Sequence, residues 1–217
     1  MNKHKKQDAK PWLVRGLNGM GVATSASLEW TLGWVQALGT AGVLAWLILT
    51  FITVRMTVPT GSMEPTIAIG TSFFVDKISY RFRQPQPGDI IVFWKDEGPP
   101  KGRQRLVKRL IAVGGQSVRI KDCRNVPAEE CGVYVNGERL SKPPFLRNYT
   151  AAGKMGDALW TVPPDHYFAL GDHSAISEDS RYWGFVAAED FIGEPFLRVW
   201  PPGQFGFMNG YFGSARQ

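Results

Sequence analysis

Three stretches of this 217-residue chain hold residue types that can do covalent chemistry together. The first is Val58-Pro-Thr-Gly-Ser-Met-Glu-Pro-Thr66, where Pro59, Gly61 and Pro65 impose a tight, irregular backbone around a small hydroxyl, Ser62. A serine nucleophile needs a base, and the three histidines (His4, His166, His173) offer no convincing one. The alternative base is a lysine desolvated until its amine is neutral near physiological pH. Arg105-Leu-Val-Lys-Arg-Leu-Ile-Ala-Val113 supplies one. On a strand, Leu106, Lys108 and Leu110 share a face, which sets Lys108 between two leucines. The same segment also reads as a solvated Lys-Arg pair on an edge strand.

The third stretch runs from Ala169 to Val186 and gathers Asp172, His173, Ser177, Asp179 and Arg181 in a loop. Asp179 and Arg181 suit an ion pair that holds the loop, and Ser177 can hydrogen-bond and orient a lysine amine. Two other readings stand beside this one. The loop can be a surface turn rich in Asx and Ser hydrogen bonds. Alternatively, Asp172 and His173 complete a Ser-His-Asp triad, which requires His173 beside Ser62.

The elements that must position these residues read as mainly β. Gly 24 and Pro 15 suit a turn-rich chain, and 44% hydrophobic residues are enough for a real core. Strands are expected at residues 71–79, 89–94, 105–113, 117–121, 132–135, 158–162, 166–170 and 195–200. Within Val133-Tyr-Val-Asn-Gly-Glu-Arg-Leu140, Asn136-Gly137 predicts a type I′ hairpin, because both residues tolerate positive φ. No helix of more than about three turns is expected after residue 55.

Ahead of this domain, Trp30 to Val54 contains no Asp, Glu, Lys or Arg. Twenty-five helical residues reach roughly 37 Å, enough to cross a hydrocarbon core of about 30 Å. A cleaved secretory signal or a buried core helix is the competing reading. Residues 1–29 carry five basic and two acidic groups, whereas residues 30–217 carry 20 and 17. The basic excess therefore sits before the apolar segment, which argues topology and speaks against a nucleic-acid partner. The expected layout is a cytoplasmic basic segment (1–29), a transmembrane helix (30–54) and an exported catalytic domain of antiparallel β-sheets (55–217). Residues 16–27 can lie along the membrane face. Cys123 and Cys131 fall in the exported part, where a disulfide is plausible. No histidine or cysteine pair has zinc-ligand spacing.

Taken in order behind an apolar segment, these stretches resemble the type I signal peptidases, membrane-bound serine proteases with a Ser/Lys dyad. Gly61-Ser62-Met63 with Pro65 matches the nucleophile motif, Gly88-Asp-Ile-Ile-Val-Phe93 a structural strand, and Lys108-Arg109 the lysine motif. Gly171-Asp172 and Ser177-Glu-Asp-Ser-Arg-Tyr-Trp-Gly-Phe-Val186 match the last conserved box of that family. The resemblance implies Ser62 as nucleophile and Lys108 as general base, with Ser177, Asp179, Arg181 and Asp172 supporting the site. It also implies an oxyanion hole from the Ser62 N–H and the Thr60 hydroxyl. Shallow pockets for small residues at −1 and −3 would be lined by Met56, Val58 and Val107. The expected partners are exported preproteins with signal peptides, and membrane lipid. The expected location is the inner membrane, crossed once, with the catalytic domain on the periplasmic face. No metal or organic cofactor is needed.

The chain also departs from the family's pattern. His173-Ser-Ala-Ile176 stands where Asn-Arg-Asp-Asn is usual, and Ala112-Val-Gly-Gly-Gln116 replaces a Gly-x-Pro-Gly-Asp turn. Both changes lie beside the dyad rather than on it. They fit a peptidase dedicated to a conjugation or pilus system as well as a general one. A non-enzymatic, membrane-anchored β domain that binds an exported partner is the reading from a different class.

Overall fold

The computed structural model describes residues 10–48, 53–141 and 149–208. The chain divides into two compact units, Met1–Ile52 and Thr53–Gln217.

The first unit is a pair of helices, α1 (Trp12–Gly19) and α2 (Ala26–Leu47). Ser25 caps α2, its Oγ accepting from the Leu28 N–H at 3.3 Å, and Glu29 sits in the first turn, where the helix dipole favours an acid. Lys10 Nζ donates to Glu29 at 2.7 Å. Trp30, Trp34, Leu38, Val43, Leu44 and Trp46 are all exposed along α2. The expected helix over residues 30–54 is corrected at its C-terminal end. The α-helix is described as far as Leu47, residues 49–52 lie outside the described residues, and Thr53 and Val54 belong to a strand. Both are β-branched, a residue type that prefers the pleated backbone. Among the described residues no helix is long and apolar enough to cross a membrane. Gly33, Gln36, Gly39, Thr40 and Gly42 dilute the hydropathy of α2. Residues 16–27 divide between the end of α1, a turn and the start of α2.

The second unit is mainly β. Its strands are β1 (Thr53–Thr57), β2 (Ser72–Asp76), β3 (Ile90–Asp96), β4 (Arg103–Val113), β5 (Ser117–Lys121), β6 (Gly132–Val135), β7 (Glu138–Arg139), β8 (Trp160–Thr161), β9 (His166–Leu170), β10 (Val186–Ala187), β11 (Phe191–Trp200) and β12 (Gly206–Phe207), with a one-turn helix α3 (Ser180–Trp183). The larger sheet runs β1-β2-β11-β3-β4-β9-β10, with β12 beside β11, and the smaller runs β7-β6-β5-β8. All the pairings are antiparallel. Asn136 and Gly137 both take positive φ, 52° and 83°, and close the β6–β7 hairpin as a type I′ turn demands.

Among the described residues, three buried clusters hold this unit together. One, around Met56, Val58, Met63, Phe73 and Val107, packs where β1 and β2 meet β4. A second, around Ile91, Phe93, Leu110 and Ala169, packs with Leu106 and Trp183. The third, around Ile111, Val118, Ile120, Val133 and Phe168, joins the smaller sheet to the larger. β4 lies between β3 and β9, so Lys108 and Arg109 are interior residues and not the edge pair that the segment alone allowed. A disulfide links Cys123 to Cys131, with their Cα atoms 4.8 Å apart, at the end of the β5–β6 pair.

Candidate functional site

Ser62 stands in a 3₁₀ turn, Gly61–Met63, reached from β1 through Val58, Pro59 and Thr60. Met63 and Ile67 are wholly buried beneath it, and the Ile67 N–H donates to the Met63 carbonyl, so the turn is anchored from below. Lys108 sits midway along β4 opposite Ile91 of β3. It is 4% exposed, and its Nζ donates to Ser62 Oγ at 2.7 Å. Burial strips water from the ammonium and lowers the Lys108 pKa to about 8, with Asp179 raising it and Arg181 lowering it as weaker influences. Thr60 Oγ1 donates to Ser62 Oγ at 3.4 Å. Two segments 46 residues apart thus bring a hydroxyl and an easily deprotonated amine into contact.

Two buried ion pairs brace this contact. Asp179 and Arg181 are 0% exposed and joined twice, Nε to Oδ1 at 2.8 Å and Nη2 to Oδ2 at 2.9 Å. Arg181 also donates to the carbonyls of Thr150, Ser174 and Ser177, and Asp179 Oδ2 accepts the Gly171 N–H. The guanidinium thus satisfies a loop backbone that the fold buries, and Asp179 keeps its charge compensated. In the second pair Asp172 receives Arg109 Nε at 2.7 Å and Nη2 at 2.6 Å, and it also accepts from the Thr66 hydroxyl. Asp172 therefore ties β4 to the segment just after Ser62.

The placement of the other expected residues follows from this framework. Met56, Val58 and Val107 are buried and line a cleft of about 460 Å³ that also contains Thr60, Ser62 and Lys108. His173 meets Ser62 only through the backbone, its N–H donating to the Ser62 carbonyl at 3.0 Å. Its imidazole faces Glu64, 4.0 Å away, and Asp172 is occupied by Arg109, so no Ser-His-Asp relay is assembled. The bond expected from Ser177 to the lysine amine is not formed. Ser177 Oγ is buried and has no hydrogen-bond partner among the described residues.

Arg109 and Gly171 are functional neighbours whose parts were not read from the sequence. Arg109 was visible only as the second half of the Lys-Arg pair. A Cβ on Gly171 would lie 2.2 Å from Ser177 Oγ and 2.5 Å from the Ser62 carbonyl oxygen. Only glycine lets the loop and the nucleophile turn approach so closely. Among the described residues no group of three or more His, Cys, Asp or Glu side chains forms a metal site.

Comparison with known proteins identifies the family. Residues 31–200 match the family described as signal peptidase, peptidase S26. A probable signal peptidase I-2 of Synechocystis is 37% identical over 172 residues, covering 78% of this chain and 73% of its own. The signal peptidase I of Leptolyngbya laminosa is 33% identical, covering 79% and 81%. A solved signal peptidase I from Enterococcus faecalis is 33% identical, covers 52% of this chain and 97% of its own, and superposes with a TM-score of 0.38. With the family match spanning most of its length, this chain belongs to the S26 signal peptidases.

Proposed function

We propose that the chain removes signal peptides from exported preproteins, with Ser62 as nucleophile and Lys108 as general base. The observation that carries this reading is the 2.7 Å contact between Lys108 Nζ and Ser62 Oγ inside a buried setting. Neutral Lys108 takes the proton from Ser62 Oγ as the oxygen attacks the scissile carbonyl. The Ser62 N–H opens a helical turn and so has no partner within it, and with the Thr60 hydroxyl it holds the developing oxyanion. Lys108 then gives its proton to the departing amine, and a water activated by the same lysine releases the acyl chain. Asp179 with Arg181 and Asp172 with Arg109 act as positioning pairs. Met56, Val58 and Val107 form the shallow wall that accepts small residues at −1 and −3.

The substrate is membrane-tethered before cleavage, and an anchored enzyme searches a surface instead of a volume. The charge-free sequence from Trp30 to Val54 and the exposed apolar residues of α2 support an anchor in that region. The lysine-rich segment 1–29 supports an N-terminus on the cytoplasmic side, with residues 55–217 on the periplasmic face. The substituted loop His173-Ser-Ala-Ile176, whose Ile176 lines the cleft, favours a dedicated substrate range within the same chemistry.

The test is cleavage of a model preprotein in detergent or lipid by the native chain and by Lys108→Ala. Cleavage after a small residue, lost in the folded variant, is the expected result. Cleavage that survives the substitution removes Lys108 from the mechanism.

A further inference from the structure

The cleft that holds Ser62 does not end at the apolar wall. It shares Glu97, Lys101 and Glu178 with a second depression of about 470 Å³, whose far side is formed by Lys95, Lys154 and Trp183. None of these residues takes part in the chemistry above. Their position relative to β4 says what they can meet. Val107 packs with Met56 and Val58 in one cluster, whereas Leu106 packs in another with Phe93 and Trp183, whose rings lie 5.9 Å apart. Successive residues of β4 therefore serve opposite walls, and Trp183 places the second depression on the Leu106 side.

An extended substrate lying along β4 obeys the same alternation. If its −1 and −3 side chains enter the wall of Met56, Val58 and Val107, its −2 side chain is directed to the opposite wall. The charges there are unequal in availability. Glu97 is paired with Lys101 at 3.0 Å, and Lys95 lies over the Trp183 ring at 4.9 Å. Glu178 has no hydrogen-bond or ion-pair partner among the described residues and borders both depressions, whereas Lys154 borders only the outer one.

We propose that the second depression is the binding site for the substrate residue at −2, and that Glu178 makes this site favour a basic side chain over an acidic one. The inference rests on the peptidase reading and adds a subsite to it. Glu178 is a specificity-determining residue here, with no part in bond breaking. Because the site is open to solvent, the discrimination is modest and salt-sensitive.

Three peptides with small residues at −1 and −3 and with Ala, Lys or Glu at −2 test this, together with a matched set carrying the charge at +1. The expected kcat/KM for Lys over Glu at −2 is about three- to fivefold at low salt. That ratio shrinks in high salt, collapses towards one in Glu178→Gln and inverts in Glu178→Lys. A change acting only through Lys108 moves all three peptides together and leaves the ratio intact. Equal rates for the Lys and Glu peptides with the native chain, or a ratio that survives Glu178→Gln, overturns the subsite. A preference at +1 instead of −2 overturns its register. Failure of the native chain to cleave both the Ala peptide and the model preprotein overturns the peptidase reading itself.

Discussion

A buried amine is unstable as a cation and useful as a base for one and the same reason. Lys108 gives up solvation in the folded chain, and its pKa falls from 10.5 to about 8. Activity is therefore expected to rise with pH through about 8, in step with deprotonation of Lys108, instead of near 10.5. A pH profile of kcat/KM on a neutral peptide checks this, and a rise centred above pH 10 removes the desolvated lysine from the argument. The stability sign runs the same way. Between pH 8 and 10.5 the unfolded chain still holds a proton that the folded lysine has lost, so the lysine's contribution to stability increases as pH rises across that window. Asp179 and Arg181, equally buried, meet each other through two hydrogen bonds instead of standing alone.

At the scale of elements, the loop from Gly171 to Arg181 is fitted to the nucleophile turn with no room to spare. Gly171→Ala is expected to abolish cleavage and to cost about 1–3 kcal/mol of stability, since a Cβ there meets Ser177 and the Ser62 carbonyl together. Thermal unfolding and a peptide assay check it, and a folded, active variant would show that the loop can retreat. The strands around this site were largely legible in advance. The Asn136-Gly137 turn, the long β4 and the strands at 117–121, 132–135 and 166–170 follow from alternation and turn residues alone. Short pairs such as β10 and β12 were not, because two residues hold no periodicity. β1 was hidden inside an apolar run, where β-branched residues serve a strand or a span equally. Within the site, Ser62 and Lys108 were readable because their types imply chemistry. The Asp172–Arg109 pair was hidden by its 63-residue separation, and the orphaned Ser177 hydroxyl was hidden because hydrogen-bond satisfaction is a property of the packed loop.

At the scale of the whole molecule, the proposed membrane anchor carries its own prediction. The full chain is expected to float with phospholipid vesicles and to remain bound in high salt, because exposed tryptophan and leucine in α2 contribute apolar burial that salt does not screen. Release by salt alone would assign the attachment to the basic N-terminal segment. The order of the larger sheet has a further effect. Ser62 hangs from β1, which is paired to β2, while Lys108 sits on β4, which is paired to β3. In the sheet these two pairs are joined through β11, Phe191–Trp200, nearly the last strand to be made. A ribosome that has not yet delivered this strand has produced both halves of the dyad with no ladder between them. A chain clipped before residue 191 lacks the strand that joins these two pairs in the sheet, and it is expected to show no cleavage in the peptide assay.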